Sequence, residues 1–594
     1  MSSINLLTYR HFIKISKEAT VILSFIGTFI YSLTDYPFAF NFETYEHGNY
    51  TIAFTIAIAT VIWSLLSIFD DDDSSILIII PLFFHLYWID SGNEYASVLA
   101  AFVVHFFLLK SLSLHRLKQI MYIVLFLYLI QFVYTAYHLY IGEMSDKLSF
   151  YNTGVFAIYS IVFIPLCQYL ASKNLSGGYY KLLFSLYVIA ILLIIFFVKS
   201  RTAMIAVFLA FCFPVLFNWI KRQSIYVKVS LLFAFSLLFL YLLNYLFHIK
   251  EDSSIGRVLM LDIAFSNVKE YWFSGVGLGN FTWYYPQWQA DYFSIVTSPD
   301  LGYFLNAGES YVIFNEFVQL FLSIGAPLFV LLCYLIVRFF YFRIPAIPAE
   351  IDLLKMIKTT FTIILACSLT YYTLHINVVL LITAYYAAIS WKILEKGRFL
   401  LAGKISFSKQ LILISCFVAL FFVYQKYEAI HNWVDIKNPP YVSITDGKSE
   451  ISSILSQLKN DGKFLAEYGN YIYEHHGDIE KAIILIEKAK RNFISKESIE
   501  NLAYLYVEEG NYEKAIENFE WLVNYIPSKF SNRLELLKLY QKNLNLDKAK
   551  HLAKYTLNMP IKIPSKEVDF IKNEIARISK DLDKNMTDCE YGHR

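Results

Sequence analysis

The side chains that could do chemistry in this chain are a few charged residues set among long apolar runs. A charged group at or inside a membrane boundary costs free energy and is usually retained for function. A guanidinium fork matches the oxygens of a phosphate group, so arginines at such places are candidates for holding an anion. A carboxylate or an imidazole can take a proton from a hydroxyl group. The anion-binding candidates are Arg201 and Arg257, and the candidate bases are Glu316, His375 and Glu309.

The composition places these residues in a membrane protein. The chain has 594 residues, of which 57% are hydrophobic and 17% are charged, and its mean hydropathy is +0.46. A soluble protein of this size does not need so much apolar surface, so lipid must solvate most of the chain. The net charge of +2 gives no general basic field, and nucleic acid is not an expected partner. The six cysteines lie in apolar segments or alone in the tail, which predicts neither a disulfide nor a cysteine metal site.

The apolar runs predict an all-α polytopic membrane protein. Runs of roughly 17–25 residues are long enough to cross a bilayer as helices. About thirteen of them follow from a hydropathy window of that length. They lie near 18–35, 51–69, 74–90, 94–110, 119–141, 152–172, 180–199, 202–220, 226–247, 312–341, 356–374, 376–395 and 409–426.

The short basic loops predict how these helices are oriented, because lysine and arginine in such loops stay in the cytoplasm. With the N-terminus inside, the loops around Lys110 and Lys221 both fall on the cytoplasmic side. The polar loop 249–310, the turn at His375 and everything after Gln425 then fall on the opposite face. That face is periplasmic in a host with two membranes.

The loop 249–310 is the longest hydrophilic stretch inside the apolar body, and it contains a glycine run. Gly275, Gly277 and Gly279 are followed by Asn280. No strand–turn–helix unit surrounds them, so the run is not a dinucleotide fingerprint. Two interpretations stay open: flexible backbone that turns back toward the membrane with Asn280 closing the turn, or backbone N–H groups that approach a phosphate.

Aromatic residues follow the glycine run within the same loop. Tryptophan and tyrosine suit both an interfacial belt and a platform on which sugar rings stack. Both interpretations stay open from the sequence alone. The residues are Trp283, Tyr284, Tyr285, Trp288, Tyr292 and Phe293, with Gln289 among them.

The C-terminal part, residues 436–585, is polar and repetitive. Gly477-Asp-Ile-Glu-Lys-Ala482 recurs as Gly510-Asn-Tyr-Glu-Lys-Ala515 and more faintly as Asn545-Leu-Asp-Lys-Ala549. The spacing of about 33–34 residues resembles the tetratricopeptide pattern of paired helices, in which the alanine lies where the two helices touch. The sequence therefore predicts an α-solenoid of about three units, near the minimum for a stable stack.

Three further stretches line up in order and carry a family resemblance. Ser200-Arg201 opens an apolar run, Gly256-Arg257 precedes Gly275-Val-Gly-Leu-Gly-Asn-Phe281, and Phe314-Asn315-Glu316 is followed by Gly325. Together they resemble the O-antigen ligase and polymerase superfamily, which includes bacterial O-oligosaccharyltransferases. The resemblance is specific over about 195–340 and topological over the rest of the membrane part.

The resemblance implies transfer of a glycan from an undecaprenyl-diphosphate carrier to an acceptor hydroxyl at the outer face of the inner membrane. The acceptor would be lipid A-core, a growing polysaccharide, or a Ser or Thr of a protein. It implies a fold of the GT-C kind, no metal and no other cofactor. Arg201 and Arg257 would hold the donor diphosphate. As alternatives, Arg201 could be an interfacial anchor, and Arg257 could form a surface ion pair.

One position departs from the family pattern. Ligases of this family have His-Asn, nine residues, then Gly, and the His is taken to activate the acceptor. Here Asn315 and Gly325 match, but Phe314 stands where the His is expected, and a phenyl ring cannot accept a proton. Glu316 is the favoured substitute, and Glu309 lies about two helical turns before it.

His375 is the other candidate base. It lies between the last predicted spans on the same external face, so it could take the role that Phe314 cannot. A helix-end histidine with satisfied hydrogen bonds is the alternative.

The predicted domains are N-terminal helices over 1–180, a ligase-like catalytic region over 181–430 that contains the external loop, and the repeats over 436–585. The repeats would lie in the periplasm and offer a surface to a protein partner, an expectation that rests on analogy. Alternatives to the ligase are an O-antigen or exopolysaccharide polymerase, a transporter of lipid-linked glycans, and a non-enzymatic scaffold. A transporter should show repeated or broken helices in its two halves, and none is evident.

Overall fold

The computed structural model describes residues 3–34, 47–68, 93–141, 153–173, 200–212, 250–296, 298–341, 348–395, 409–437 and 447–591, with scattered single residues between these ranges. The regular secondary structure of these ranges consists of helices, which confirms the predicted all-α class. The chain divides into two compact units. The first comprises residues 1–239, 314–320 and 327–458, and the second comprises 240–313, 321–326 and 459–594.

The first unit, called the membrane unit below, is built from apolar helices. Its helices are α1 (Ser3–Thr34), α2 (His47–Ile68), α3 (Glu94–Ser111), α4 (Leu114–Ile141), α5 (Thr153–Val162), α6 (Ile164–Lys173) and α7 (Arg201–Val207), which continues as a short π-helix to Cys212. Its core forms where α2 packs against α1, α3 and α15, and where α3 packs against α14.

The later helices complete the membrane unit and introduce the second one. They are α8 (Glu251–Ser266), α9 (Val268–Tyr271), α10 (Phe281–Ile295), α11 (Leu301–Asn306), α12 (Glu316–Tyr341), α13 (Pro348–Ser368), α14 (Asn377–Glu395), α15 (Lys409–Lys437) and α16 (Gly447–Gln457). A 3-10 turn, Thr373–His375, precedes α14. Helices α8 to α11 belong to the second unit, whereas α13 to α16 belong to the membrane unit.

Six helices within the described ranges are long and apolar enough to cross a bilayer. They are Tyr50–Ile68, Leu114–Tyr137, Gly154–Lys173, Glu316–Tyr341, Asn377–Leu394 and Lys409–Lys437. Each coincides with a predicted span. The predicted spans near 74–90, 180–199 and 226–247 lie largely outside the described residues.

Several serine and threonine hydroxyl groups in the helices of the membrane unit bond back to the helix backbone. Thr60 donates to the carbonyl of Ile56 at 2.6 Å, and Ser368 donates to the carbonyl of Ile364 at 2.8 Å. A hydroxyl without such a bond would be an unsatisfied polar group in lipid. The hydroxyl residues therefore do not count against a membrane location.

The second unit, called the loop–repeat unit below, joins the external loop to the C-terminal helices. The latter form pairs: α17 (Gly462–His476) with α18 (Ile479–Ala489), α19 (Lys496–Glu509) with α20 (Tyr512–Tyr525), and α21 (Phe530–Lys542) with α22 (Leu546–Leu557), followed by α23 (Lys566–Tyr591). The paired helices and their spacing follow the sequence pattern. Ala482, Ala515 and Ala549, predicted at helix contacts, are each 0% exposed.

The grouping into compact units differs from the sequence-based division in one respect. That division placed the loop 249–310 with the catalytic region and began the repeats at 436. In the structure α15 continues as one helix to Lys437, the loop–repeat unit resumes at Lys459, and the loop belongs with the repeats. Phe304 of α11 lies in the same hydrophobic core as the repeat residues.

Candidate functional site

The membrane unit holds a buried carboxylate–imidazole pair. His375 Nδ1 lies 2.9 Å from Oε1 of Glu316, and the same oxygen accepts the backbone N–H of Leu374 at 2.6 Å. The side chains of Glu316 and His375 are 1% and 2% exposed. Oε2 of Glu316 has no hydrogen-bond partner among the described residues. The sequence named Glu316 and His375 as separate candidates, and the structure brings them into contact.

Gln319 completes the pair from one turn further along α12. Its Nε2 lies 3.1 Å from Nε2 of His375, and its side chain is buried. An amide N–H₂ group can only donate, so in this orientation His375 accepts at Nε2 and carries its proton on Nδ1. That proton is then donated to Glu316. Sequence reasoning missed Gln319, although its spacing of three residues from Glu316 places both on one helix face.

Tyr95 fixes the plane of the imidazole. The two rings are stacked with centroids 4.1 Å apart and an angle of 9° between their planes. Tyr95 lies in the first turn of α3, and Asn93 caps this helix by accepting from the N–H of Ala96. Helix α3 packs against α14, which begins two residues after His375. No local signal in the sequence links Tyr95 to His375.

Phe314, which stands in the family's histidine position, has a packing role. Its ring meets the rings of Tyr371 and Tyr372 edge to face, at centroid distances of 5.8 Å and 5.3 Å. The next residue, Asn315, caps α12 by accepting the N–H of Val318 at 3.1 Å. The tripeptide Phe314-Asn315-Glu316 therefore starts a helix and places an aromatic ring against the turn that leads to His375.

Arg201 opens α7 within the same membrane unit. Ser200 caps the helix by accepting the N–H of Ala203. The hydroxyl groups of Thr202 and Thr370 are 2.8 Å apart. Since Thr370 lies just before the turn that carries His375, this bond ties the start of α7 to the segment of the buried pair.

In the loop–repeat unit, the glycines of the motif permit two backbone segments to pair. The N–H groups of Val276 and Gly277 donate to the carbonyls of Leu322 and Ser323 at 2.8 Å and 2.9 Å. Gly325 has φ 73° and interrupts α12. A β-carbon at Gly325 would lie 2.0 Å from the carbonyl oxygen of Phe273. Only glycine therefore fits at this crossing.

The rest of the glycine run forms the turn that follows. Gly275, Gly277 and Gly279 all have positive φ. Asn280 donates from its side-chain amide to the carbonyl of Val276 at 2.9 Å and so closes the turn. This geometry agrees with the interpretation of the run as a backbone turn.

Arg257 lies in α8, half-buried, on the helix that packs against α10 and α11. Its neighbour Gly256 faces Asn306 of α11, and a β-carbon there would be in ordinary van der Waals contact with the Asn306 carbonyl oxygen, at 3.5 Å. Packing on both sides holds the backbone of Arg257 within the loop.

Glu309 has a different environment from the one expected. Residues 307–315 are not helical, so the expectation that Glu309 lies two helical turns before Glu316 is wrong. Its Oε1 accepts the backbone N–H of Lys496 at 2.8 Å and the hydroxyl of Tyr311. A carboxylate at the first turn of α19 satisfies an unpaired N–H and interacts favourably with the helix dipole.

The aromatic segment of the loop forms α10 and is largely buried. Tyr285 and Trp288 are 0% and 6% exposed. The indole N–H of Trp283 donates to the carbonyl of Lys490 at 2.6 Å. Burial raises the pKa of the Tyr285 phenol above its usual range. These residues pack inside the loop–repeat unit. Neither sequence-based interpretation, an interfacial belt or a platform for sugar rings, included this packing.

The described helices define an all-α polytopic membrane protein with a second compact unit that contains the loop 249–310 and the paired C-terminal helices. Residues 186–333 match the family model described as O-antigen ligase, which confirms the resemblance based on the motifs. The match supports glycan transfer of the ligase or polymerase type. Neither the curated proteins nor the solved structures gave a match.

Within the described ranges, no three His, Cys, Asp or Glu side chains come together as a protein metal site requires.

Proposed function

We propose that the protein transfers a glycan from an undecaprenyl-diphosphate carrier to an acceptor hydroxyl at the periplasmic face of the inner membrane, as an O-antigen ligase or a protein O-oligosaccharyltransferase without a metal. The observation that carries the proposal is the buried contact between His375 and Glu316. This contact lies in the membrane unit, which contains part of the residues that match the O-antigen ligase family model. The pair supplies the base that Phe314 cannot.

In the proposed reaction the acceptor hydroxyl displaces the side chain of Gln319 and gives its proton to Nε2 of His375. The acceptor oxygen forms a bond to the anomeric carbon while the bond from that carbon to the diphosphate oxygen breaks. The lipid diphosphate leaves with the bonding electrons. Glu316 holds the proton on Nδ1 and stabilises the imidazolium that forms, as a carboxylate does in other acid–histidine pairs.

Arg201 is the proposed cation for the leaving diphosphate within the membrane unit. Its helix start is tied through Thr202 and Thr370 to the segment that carries His375. A guanidinium group can bind two phosphate oxygens at once and stabilise the charge that develops as the bond breaks. Arg257 is the second proposed phosphate-binding residue, on the strength of its motif and charge.

The test is glycan transfer in cells that carry Glu316→Gln, His375→Gln or Arg201→Ala. Membrane levels are checked by immunoblot, and the lipid-linked donor is quantified. Loss of a general base lowers the rate by roughly 10²–10⁴-fold. We expect such a loss for the first two variants, with build-up of the donor at normal protein level. Arg201→Lys keeps the charge without the fork and should retain only part of the activity.

Phe314→Tyr serves as the matched control, because it alters the family position, keeps an aromatic ring there and leaves both side chains of the pair unchanged. Full transfer by the Glu316 and His375 variants would overturn the proposed site. Loss with Glu316→Gln but full transfer with His375→Gln would make Oε2 of Glu316 the proton acceptor. The acceptor class is identified from the product that disappears, whether lipid A-core, polysaccharide or glycoprotein. Core that carries a single glycan unit would favour the polymerase reaction, whereas unmodified core with polymer still on the carrier would favour the ligase.

A further inference from the structure

The external loop is attached to the repeats by side chains that bond to their backbone. Trp283 donates to the carbonyl of Lys490, at the end of α18. Gln289 donates to the carbonyl of Tyr525, the last residue of α20, at 2.6 Å. Glu309 accepts from the N–H of Lys496, at the start of α19. Each of these side chains of the loop thus forms a hydrogen bond with a backbone group at the end of a repeat helix.

Gln289 makes more hydrogen bonds than the other two side chains. Its side chain is 1% exposed, and its amide also donates to the carbonyl of Gly308 at 3.1 Å. Its oxygen accepts the hydroxyl of Tyr285 at 2.8 Å. A buried amide with all these bonds costs free energy to expose, because each partner would be left unpaired.

Apolar packing extends the same attachment. Helix α10 packs along α20, and Phe304 of α11 lies in the core of the repeats, with Trp283 and Leu305 packed against it. Helices α10 and α11 both also pack against α8. Helix α8 carries Arg257. A continuous series of contacts therefore runs from the repeats through α10 and α11 to that arginine.

We propose that the repeats act in cis as the support of the external loop, and that the partner bound by this surface of the solenoid is α10 of the same chain. The repeats thereby hold α8 and Arg257 in position, which makes Trp283 and Gln289 positioning residues. The consequence for glycan transfer rests on the proposed function. The attachment itself does not.

The first test is hydrogen exchange of the full-length protein in detergent. Trp283→Phe removes one N–H donor and keeps an aromatic ring, while Gln289→Met removes the amide at similar length. Ser294→Ala, on an exposed position of the same helix, is the control. We expect exchange in the peptide Glu251–Ser266 to be about fivefold faster or more in the first two variants, as loss of one hydrogen bond allows. Wild-type protection of that peptide in both would overturn the proposal.

The second test measures glycan transfer by the same variants in membranes. If the repeats support the loop, Trp283→Phe and Gln289→Met should lower kcat and change the KM for the acceptor little. An increase of the acceptor KM alone, with α8 protected as in the wild type, would instead mean that the surface recruits the acceptor. If wild-type membranes transfer no glycan, the proposed function fails, and the hydrogen-exchange result still decides the attachment.

Discussion

Gln319 and His375 meet with their Nε2 atoms 3.1 Å apart, and this contact covers the nitrogen that would take the acceptor's proton. The amide of Gln319 therefore favours the imidazole tautomer that carries its proton on Nδ1. It also has to move aside when the acceptor hydroxyl arrives. Because Tyr95 holds the ring by stacking, the imidazole can keep its orientation while the amide leaves.

Substitutions of Gln319 should distinguish a donor from an acceptor at this position. Gln319→Leu removes the bond and should lower the transfer rate about tenfold, whereas Gln319→Glu should lower it about 100-fold, within the range for general-base catalysis. A carboxylate would accept a proton from Nε2 and remove the lone pair. It would also stabilise the protonated ring, so the acid limb of the pH–rate profile moves to higher pH. An unshifted profile with full activity in Gln319→Glu would exclude Nε2 as the proton acceptor.

Gly325→Ala should abolish the backbone pairing at the break in α12. The new β-carbon would meet the carbonyl oxygen of Phe273 at 2.0 Å, at a residue with φ 73°. A displacement of about 1 Å in a catalytic enzyme can cost roughly 100-fold in rate, and we expect a loss of that order. Gly308→Ala is the control in the same unit, since nothing lies within 4 Å of its β-carbon position. Equal activity of the two variants, measured at equal membrane level, would contradict the prediction.

Leu544→Gly should stabilise the third repeat. Leu544 has φ 59° and its side chain is 81% exposed. It occupies the helix end where Gly510 stands in the second repeat, and in both the next residue donates back to a tyrosine carbonyl at 2.8 Å. The left-handed conformation costs a residue with a β-carbon about 1–2 kcal/mol. Pulse proteolysis in urea should show a gain of about 1 kcal/mol. Leu544→Ala keeps the β-carbon and should show little gain, which separates backbone strain from loss of the apolar side chain.

The titration of Lys529 should raise the free energy of unfolding of the repeats as the pH rises from neutral to alkaline. Burial, together with the neighbouring Lys496, lowers the pKa of Lys529 to about 8. In the unfolded chain a lysine titrates near 10.4. Between these two pKa values the unfolded state binds more protons, so stability rises with pH across that window. The pKa of Lys496 is raised, and its stabilising contribution is lost only above the window.

The measurement is the urea midpoint of the full-length protein by pulse proteolysis at pH 7.5 and 9.5. The wild type should gain stability over this interval. Lys529→Gln should start higher at pH 7.5 and gain less. A parallel rise in both proteins would show that another group is responsible.

Features with a local cause could be predicted from the sequence. The positions of Ala482, Ala515 and Ala549 follow from a repeated pattern, because every unit has the same helix contact. The turn that Asn280 closes follows from short-range hydrogen bonding. The ligase-like region was visible because its motifs lie in order within one stretch of chain.

Features that depend on distant packing could not be predicted. Glu316 and His375 were separate candidates, since nothing in the sequence says that the turn before α14 reaches the start of α12. The stacking of Tyr95 on His375 has no sequence signal. Trp283 and Gln289 suggested a membrane belt or a sugar platform, because aromatic composition does not reveal which surface covers the rings.

The break in α12 also bears on how the protein is made. The turn around Gly325 gives up helical hydrogen bonds, and Leu322, Ser323 and Ala326 instead bond to the backbone of residues 272–277. An apolar helix with unpaired peptide groups inserts poorly into a bilayer. Residues 272–277 leave the ribosome before residues 322–326 do. The order of synthesis therefore provides the bonding partner before the interrupted helix needs it, and a circular permutation that reversed this order should impair biogenesis even if the finished fold were the same.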